Sequence, residues 1–236
     1  MMNVLTILGV GLILGLKHAM EVDHVVAVST IVSQHRNVWR SALVGALWGI
    51  GHTASLLVIG VIVLSLRIVI PETVSTWLEF GVALMIIGLG AMALWRSLRQ
   101  KEHIHAHEHS HDGVSHVHIH FHEPETRHQQ ERQHSHAVSA VGLKPVLIGT
   151  VHGLAGSGAL TLLVLAQTSS ALVGFLYLAI FGVGSIFGMI LMSGLIGLPF
   201  ALTAKNVDKF HRHLQTAAAV LSIAFGLWYA YETALA

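Results

Sequence analysis

Apolar residues run through this chain in long unbroken stretches, without the alternation of a half-buried strand or the narrow stripe of a soluble helix. The first stretch opens with VLTILGVGLILG and extends over about residues 4–31. Others cover about 41–66, 76–96, 145–166, 172–200 and 213–232. Residues 145–204 contain no Asp, Glu, Lys or Arg at all. At about 1.5 Å per residue they would form roughly 90 Å of helix, two or three crossings of a ~30 Å hydrocarbon core. The polar QTSS at 167–170 divides them, and Pro199 marks the end of the fifth stretch. The pattern predicts an all-α polytopic membrane protein with six transmembrane helices.

Composition agrees with that class. The 236 residues are 53% hydrophobic and 11% charged, against about a quarter charged in soluble domains. A soluble fold of this size would need far more charged surface. The formal net charge is +1. The lipid bilayer is therefore an expected partner and nucleic acid is not. There is no cysteine, which excludes disulfides and thiolate metal sites. MMNVLT has no basic character and no A-x-A site follows, so a cleaved signal peptide is not expected.

The cations set an orientation. With six spans, Arg36, Arg40, Arg96, Arg99, Lys101, Arg127, Arg132, Lys144, Lys205, Lys209 and Arg212 fall on one side. Arg67 alone falls on the other, and Lys17 lies within the first span. The positive-inside rule then puts both termini outside and the long central loop in the cytoplasm. A third span within 145–204 would separate Lys144 from Lys205 and spoil the asymmetry.

Against this apolar background GLKHAMEVDH, residues 15–24, stands out. Lys17, His18, Glu21, Asp23 and His24 fall within eight residues of a span. Ionisable groups at membrane depth cost several kcal/mol and mark functional sites by default. On a straight helix at about 100° per residue, Asp23 and His24 would lie roughly 140° and 240° around from His18. Either the span breaks near residues 15–20, or only some of these side chains reach one ion. Asp23 and His24 can share a site with His52 of the second span, or Asp23 can orient a liganding imidazole. Lys17 is expected to snorkel or to pair with Glu21. The ordinary alternative for His52 and His152 is hydrogen bonding between helices. Gly49, Gly51, Gly153, Gly156 and Gly158 are read as points of close helix approach.

The loop holds the second concentration of ligands. Nine histidines occur in residues 103–122: His103, His105, His107, His109, His111, His116, His118, His120 and His122. Alternation places neighbouring imidazoles on one side of an extended chain, where pairs can chelate a divalent ion. With little apolar surface to bury, the loop is expected to be largely disordered without metal. Imidazole and carboxylate donors suit nickel, cobalt or zinc better than copper(I).

The chain also repeats itself. GLKHAMEVDHVVAVS at 15–29 aligns with GTVHGLAGSGALTLL at 149–163, which sets His18 over His152. GIGHTAS at 49–55 aligns with GVGSIFG at 182–188, and LW at 94–95 with LW at 227–228. The offsets are 134, 133 and 133. Two halves of three spans each must enter the membrane in opposite senses, as in the inverted repeats of secondary transporters. The expected organisation is a first three-helix repeat at 1–98, the His-rich loop at 99–143 and a second repeat at 144–236. The polar ligands are concentrated in the first.

HAMEVDH, residues 18–24, resembles the H-x-x-x-x-D-H signature of the nickel/cobalt transporter family, which includes the NiCoT, NicO and UreH-like proteins. GHTAS at 51–55 resembles its G-H-[ST] motif, and HGLAGSGA at 152–159 the second-half motif of the UreH-like branch. Glu21 and Val22 depart from the usual D-A-D-H ending, while the His, Asp and His positions stand. The resemblance implies transport of Ni2+, with Co2+ as a second cargo, across the cytoplasmic (inner) membrane. It favours uptake over efflux by the same family. His18, Asp23, His24, His52 and His152 are the expected metal site. A homo-oligomer and hand-off to cytoplasmic nickel chaperones are further partners the resemblance allows. An intramembrane metalloenzyme built on His18, Glu21 and Asp23 is the weaker alternative, because no H-E-x-x-H occurs within the apolar spans. A metal sensor or store, with the loop as its working part, is another.

Overall fold

The computed structural model describes residues 4–66, 68, 70–99, 103–111, 114–122, 142–155, 170–203 and 208–235. Among them are helices α1 (Val4–His18), α2 (Val22–Val32), α3 (Val38–Leu66), α4 (Glu72–Arg99), α5 (Lys144–Ala155), α6 (Ala171–Thr203) and α7 (Asp208–Leu235). Strands β1 (His103–His111) and β2 (Val114–His122) lie between α4 and α5.

The first apolar run forms two helices separated by a break. α1 and α2 meet at 52° across residues 19–21. Neither proline nor glycine causes the break, which coincides with the polar string KHAMEVD. Met20 N–H bonds the Lys17 carbonyl and Glu21 N–H the His18 carbonyl, tighter i→i−3 links that end α1. Glu21 is extended, at φ −64° and ψ 149°, and its carbonyl accepts from Val25 as α2 begins. Asp23 then sits in the first turn of α2, where the helix dipole favours a carboxylate.

The remaining elements follow from local chemistry. Asn37 caps α3 by accepting from Trp39 N–H at 2.8 Å. α4 begins directly after Pro71, whose carbonyl accepts from Val74 and Ser75. α3 and α6 have 29 and 33 residues, enough at about 1.5 Å each to cross a ~30 Å core. Their apolar side chains point outward as well as inward. Leu5, Val58, Trp77, Phe187 and Leu221 are exposed, as lipid-facing residues are. The interior instead holds polar groups, with His24, His52, His152, Ser185 and Ser193 all buried.

Four described helices are long and apolar enough to cross a membrane, or five if the bent α1–α2 pair is one span. The expected six-helix count is therefore not reached among the described residues. Of the span expected at 145–166, α5 accounts for the part up to Ala155, and residues 156–169 lie outside the described ones. Among the described residues the regular structure is helical apart from one hairpin. Within the 99–143 loop β1 pairs with β2 antiparallel, and residues 123–141 lie outside the described ones.

Helix packing is reciprocal between the halves. α3 packs on α6 and α4 on α7, while α3·α5 is matched by α1·α6. A Cβ on Gly15 would strike the Phe181 carbonyl, and one on Gly149 the Trp48 carbonyl. Likewise Gly51 faces Val146 and Thr150, and Gly184 faces Leu12 and Leu16. These four contacts are two pairs related by the 133–134 offset. In the last helices Gly90 faces Ala219 and Ile223, whereas Gly226 faces Ala83 and Ile87. Those counterparts lie 136 apart, so the LW match at 133 does not mark the packing equivalence.

Candidate metal site

The α1–α2 break, the middle of α3 and the end of α5 bring four imidazoles together. His18 is the last residue of α1, and Asp23 and His24 open α2. His52 lies on α3 at the crossing where Gly51 meets α5, and His152 is one residue from Gly153, which faces His52 and Ser55. Ring centroids are 4.1 Å apart for His24 and His152, 4.6 Å for His18 and His24, and 5.1 Å for His52 to both His18 and His24.

Two overlapping triads result, each with ligand atoms within 4.8 Å of one another. One is His18, His24 and His52. The other is Asp23, His24 and His152. All five residues expected from the sequence are thus brought together, although no single triad holds them all. The break in the first span is what makes this possible.

Carboxylates fix the imidazole tautomers. His24 Nδ1 donates to Asp23 Oδ1 at 3.0 Å, and His152 Nε2 donates to Asp23 Oδ2 at 2.8 Å. His18 Nδ1 lies 2.9 Å from Glu21 Oε2, an ion-pair contact. Glu21 therefore meets His18, not the expected Lys17. In each neutral ring the other nitrogen keeps its lone pair. His24 Nε2 and His152 Nδ1 are buried without a partner, as is His52 Nδ1. His18 Nε2 faces His52 Nε2 at 3.1 Å. Buried polar atoms without partners are costly, and a dication in either triad would engage some of them. Asp23 accepting from two imidazoles is the carboxylate–histidine arrangement that orients metal ligands.

Two aromatic walls escaped the sequence reading. Trp48 stacks 6.3 Å from His24 and lies 5.6 Å from His152, while Phe181 lies 5.4 Å from His18. The repeat offset of 133 sets Phe181 over Trp48, which was the available signal. Ser185, over His52 by the same offset, is buried with no partner for its hydroxyl. Side chains of the loop histidines, and Gly156 and Gly158, lie outside the described residues.

A family model described as NicO, High-affinity nickel-transport protein, matches residues 4–223. The chain is 38% identical over 230 residues to the Urease accessory protein UreH of Bacillus sp. (strain TB-90), covering 98% of this chain and 92% of that protein. It is 26% identical over 227 residues to Chloroplast protein FOR GROWTH AND FERTILITY 2 of Arabidopsis thaliana, and 27% over 219 residues to its namesake FOR GROWTH AND FERTILITY 1. These matches cover 95% and 92% of this chain but 56% of each relative, so the chain spans about half their length. No solved structure matches. With the polar cluster inside an apolar helical body, the match across nearly the whole chain makes this multi-pass membrane protein a member of the NicO family of nickel-transport proteins, a transporter family and not an enzyme family.

Proposed function

We propose that the chain carries Ni2+ into the cell, with Co2+ as a second cargo, through the site formed by His18, Asp23, His24, His52 and His152. The observation that carries this reading is the pair of triads sharing His24 at the break of the first span. Neutral imidazoles with one carboxylate replace the water ligands that a borderline-soft dication sheds. A single carboxylate lowers the cost of bringing charge to membrane depth without holding the ion too firmly for release. His24 is common to both triads, so an ion can pass from one to the other while keeping one ligand.

The inverted-repeat reading is supported by the reciprocal crossings of Gly15 with Phe181 and Gly149 with Trp48. Three spans per half would place the site at the interface of two oppositely inserted halves. Both termini then lie outside the inner membrane and the loop inside. There the histidines at 103–122 buffer the ion for cytoplasmic nickel chaperones. The hairpin register favours that role. It sets His103 opposite His122, His105 opposite His120, His107 opposite His118 and His109 opposite His116. Directly opposed positions share one face of the ribbon.

Whole-cell nickel accumulation, with and without expression, tests the direction. Uptake predicts more cell-associated nickel on expression, and lower accumulation would identify an exporter.

A further inference from the structure

At one end of the helical body, a pocket of about 420 Å3 lies between the end of α2, the start of α3, the end of α4 and the first turns of α7. Arg36, Arg40 and Arg96 line it with His35, Gln34 and Gln215, and none of its described lining residues is acidic. Its walls are tied together. Arg96 donates to Gln34, Gln215 donates to the Ser33 carbonyl at 2.7 Å, and Ser97 and Thr216 share a hydrogen bond at 2.8 Å. Burial first, and the neighbouring Arg40 second, hold the His35 imidazole below its ordinary pKa. The described lining of the pocket is therefore rich in cationic groups, with Arg40 and Arg96 among them.

Its depth is marked independently. Trp39 precedes Arg40 and is 83% exposed, while Trp95 precedes Arg96 and is 57% exposed. Arg99 lies over the Trp95 ring at 4.0 Å. Exposed tryptophans beside arginines are the anchors of a membrane–water interface. A basic pocket between helices at that level matches a phosphate-bearing headgroup, because guanidinium forks fit phosphate oxygens bidentately.

We propose that this pocket binds the phosphate of an anionic phospholipid, with Arg40 and Arg96 as its principal contacts. The site is separate from the histidine cluster and needs no transport to be tested. The full-length protein in detergent is titrated with phosphatidylglycerol, phosphatidylcholine or inorganic phosphate. Thermal unfolding and native mass spectrometry report binding. Phosphatidylglycerol should raise the melting temperature and remain bound where phosphatidylcholine does not. Arg40→Gln and Arg96→Gln should each weaken that binding by roughly tenfold, the loss of one charge-assisted contact. Arg99→Gln, outside the pocket, should leave it unchanged. The single substitutions remain informative if the double variant fails to fold. Equal response to both lipids, or undiminished phosphatidylglycerol binding in both arginine variants, would overturn the proposal. Saturation by inorganic phosphate with no further response to lipid would overturn it in favour of a free-phosphate site.

Discussion

His152 donates to Asp23 at 2.8 Å across 129 residues of sequence. Asp23 accepts at the same time from His24, the residue beside it. One carboxylate thus orients an imidazole from each half of the chain and leaves a buried nitrogen on each without a partner. Asp23→Asn keeps the shape but removes the charge and one acceptor. Expression-matched nickel uptake should fall by at least about a hundredfold, the upper range for loss of a carboxylate that orients metal ligands. Uptake near the parent level would show that Asp23 is dispensable.

Glu21 occupies a different place. It lies in ion-pair contact with His18 but is half exposed, at 52%, and it lies outside the H-x-x-x-x-D-H positions. Glu21→Gln should therefore cost no more than about tenfold in the same assay, the lower range for such a partner. A dead Glu21→Gln beside an active Asp23→Asn would reverse the assignment.

The helix crossings make a stability prediction. A Cβ at Gly149 would strike the Trp48 carbonyl, whereas one at Gly81 meets nothing within 4 Å. Gly149→Ala should destabilise the protein by about 1–3 kcal/mol, the usual cost of overpacking. Gly81→Ala should be neutral or stabilise by up to about 1 kcal/mol through helix propensity. Thermal unfolding in detergent separates the two.

The long helices were legible because lipid-facing runs are apolar all round, but within the chargeless 145–204 stretch Pro199 did not mark an end, since α6 continues to Thr203. The clustered residues were legible for the opposite reason, as His18, Asp23, His24 and His52 are conspicuous in apolar runs. Pairings were not. Glu21 had two basic neighbours at helical spacing, and the break after His18 turned it to His18 in place of Lys17. Trp48 and Phe181 looked like ordinary lipid-soluble residues. Only the fold shows that they wall the imidazoles. The LW match stands at an offset of 133, while packing relates Gly90 to Gly226 at 136.

The loop makes a pH prediction. Only neutral imidazole ligates, so Ni2+ affinity at 103–122 should be high above ~6.5 and fall as protonation removes the lone pairs below it. Calorimetry on the full chain and on a chain lacking residues 103–136 should differ by several bound ions at pH 7.5 and much less at pH 5.5, pH values roughly one unit either side of that midpoint. The deleted chain should still transport. Complete loss of transport in a folded deletion would move the essential site into the loop.

Orientation is open to a reporter active only in the cytoplasm. Fused after Ala236 it should be silent, and inserted near Gly113 it should be active. The reverse pattern would invert the topology.

The central claim is that the histidine cluster moves nickel across the membrane unaided. Nickel flux into liposomes containing only the purified protein tests it most directly. The parent chain should transport Ni2+ well above protein-free liposomes, and Asp23→Asn, His24→Ala and His52→Ala should fall to that background. Equal flux in the parent and all three variants, or no flux in the parent, would contradict it.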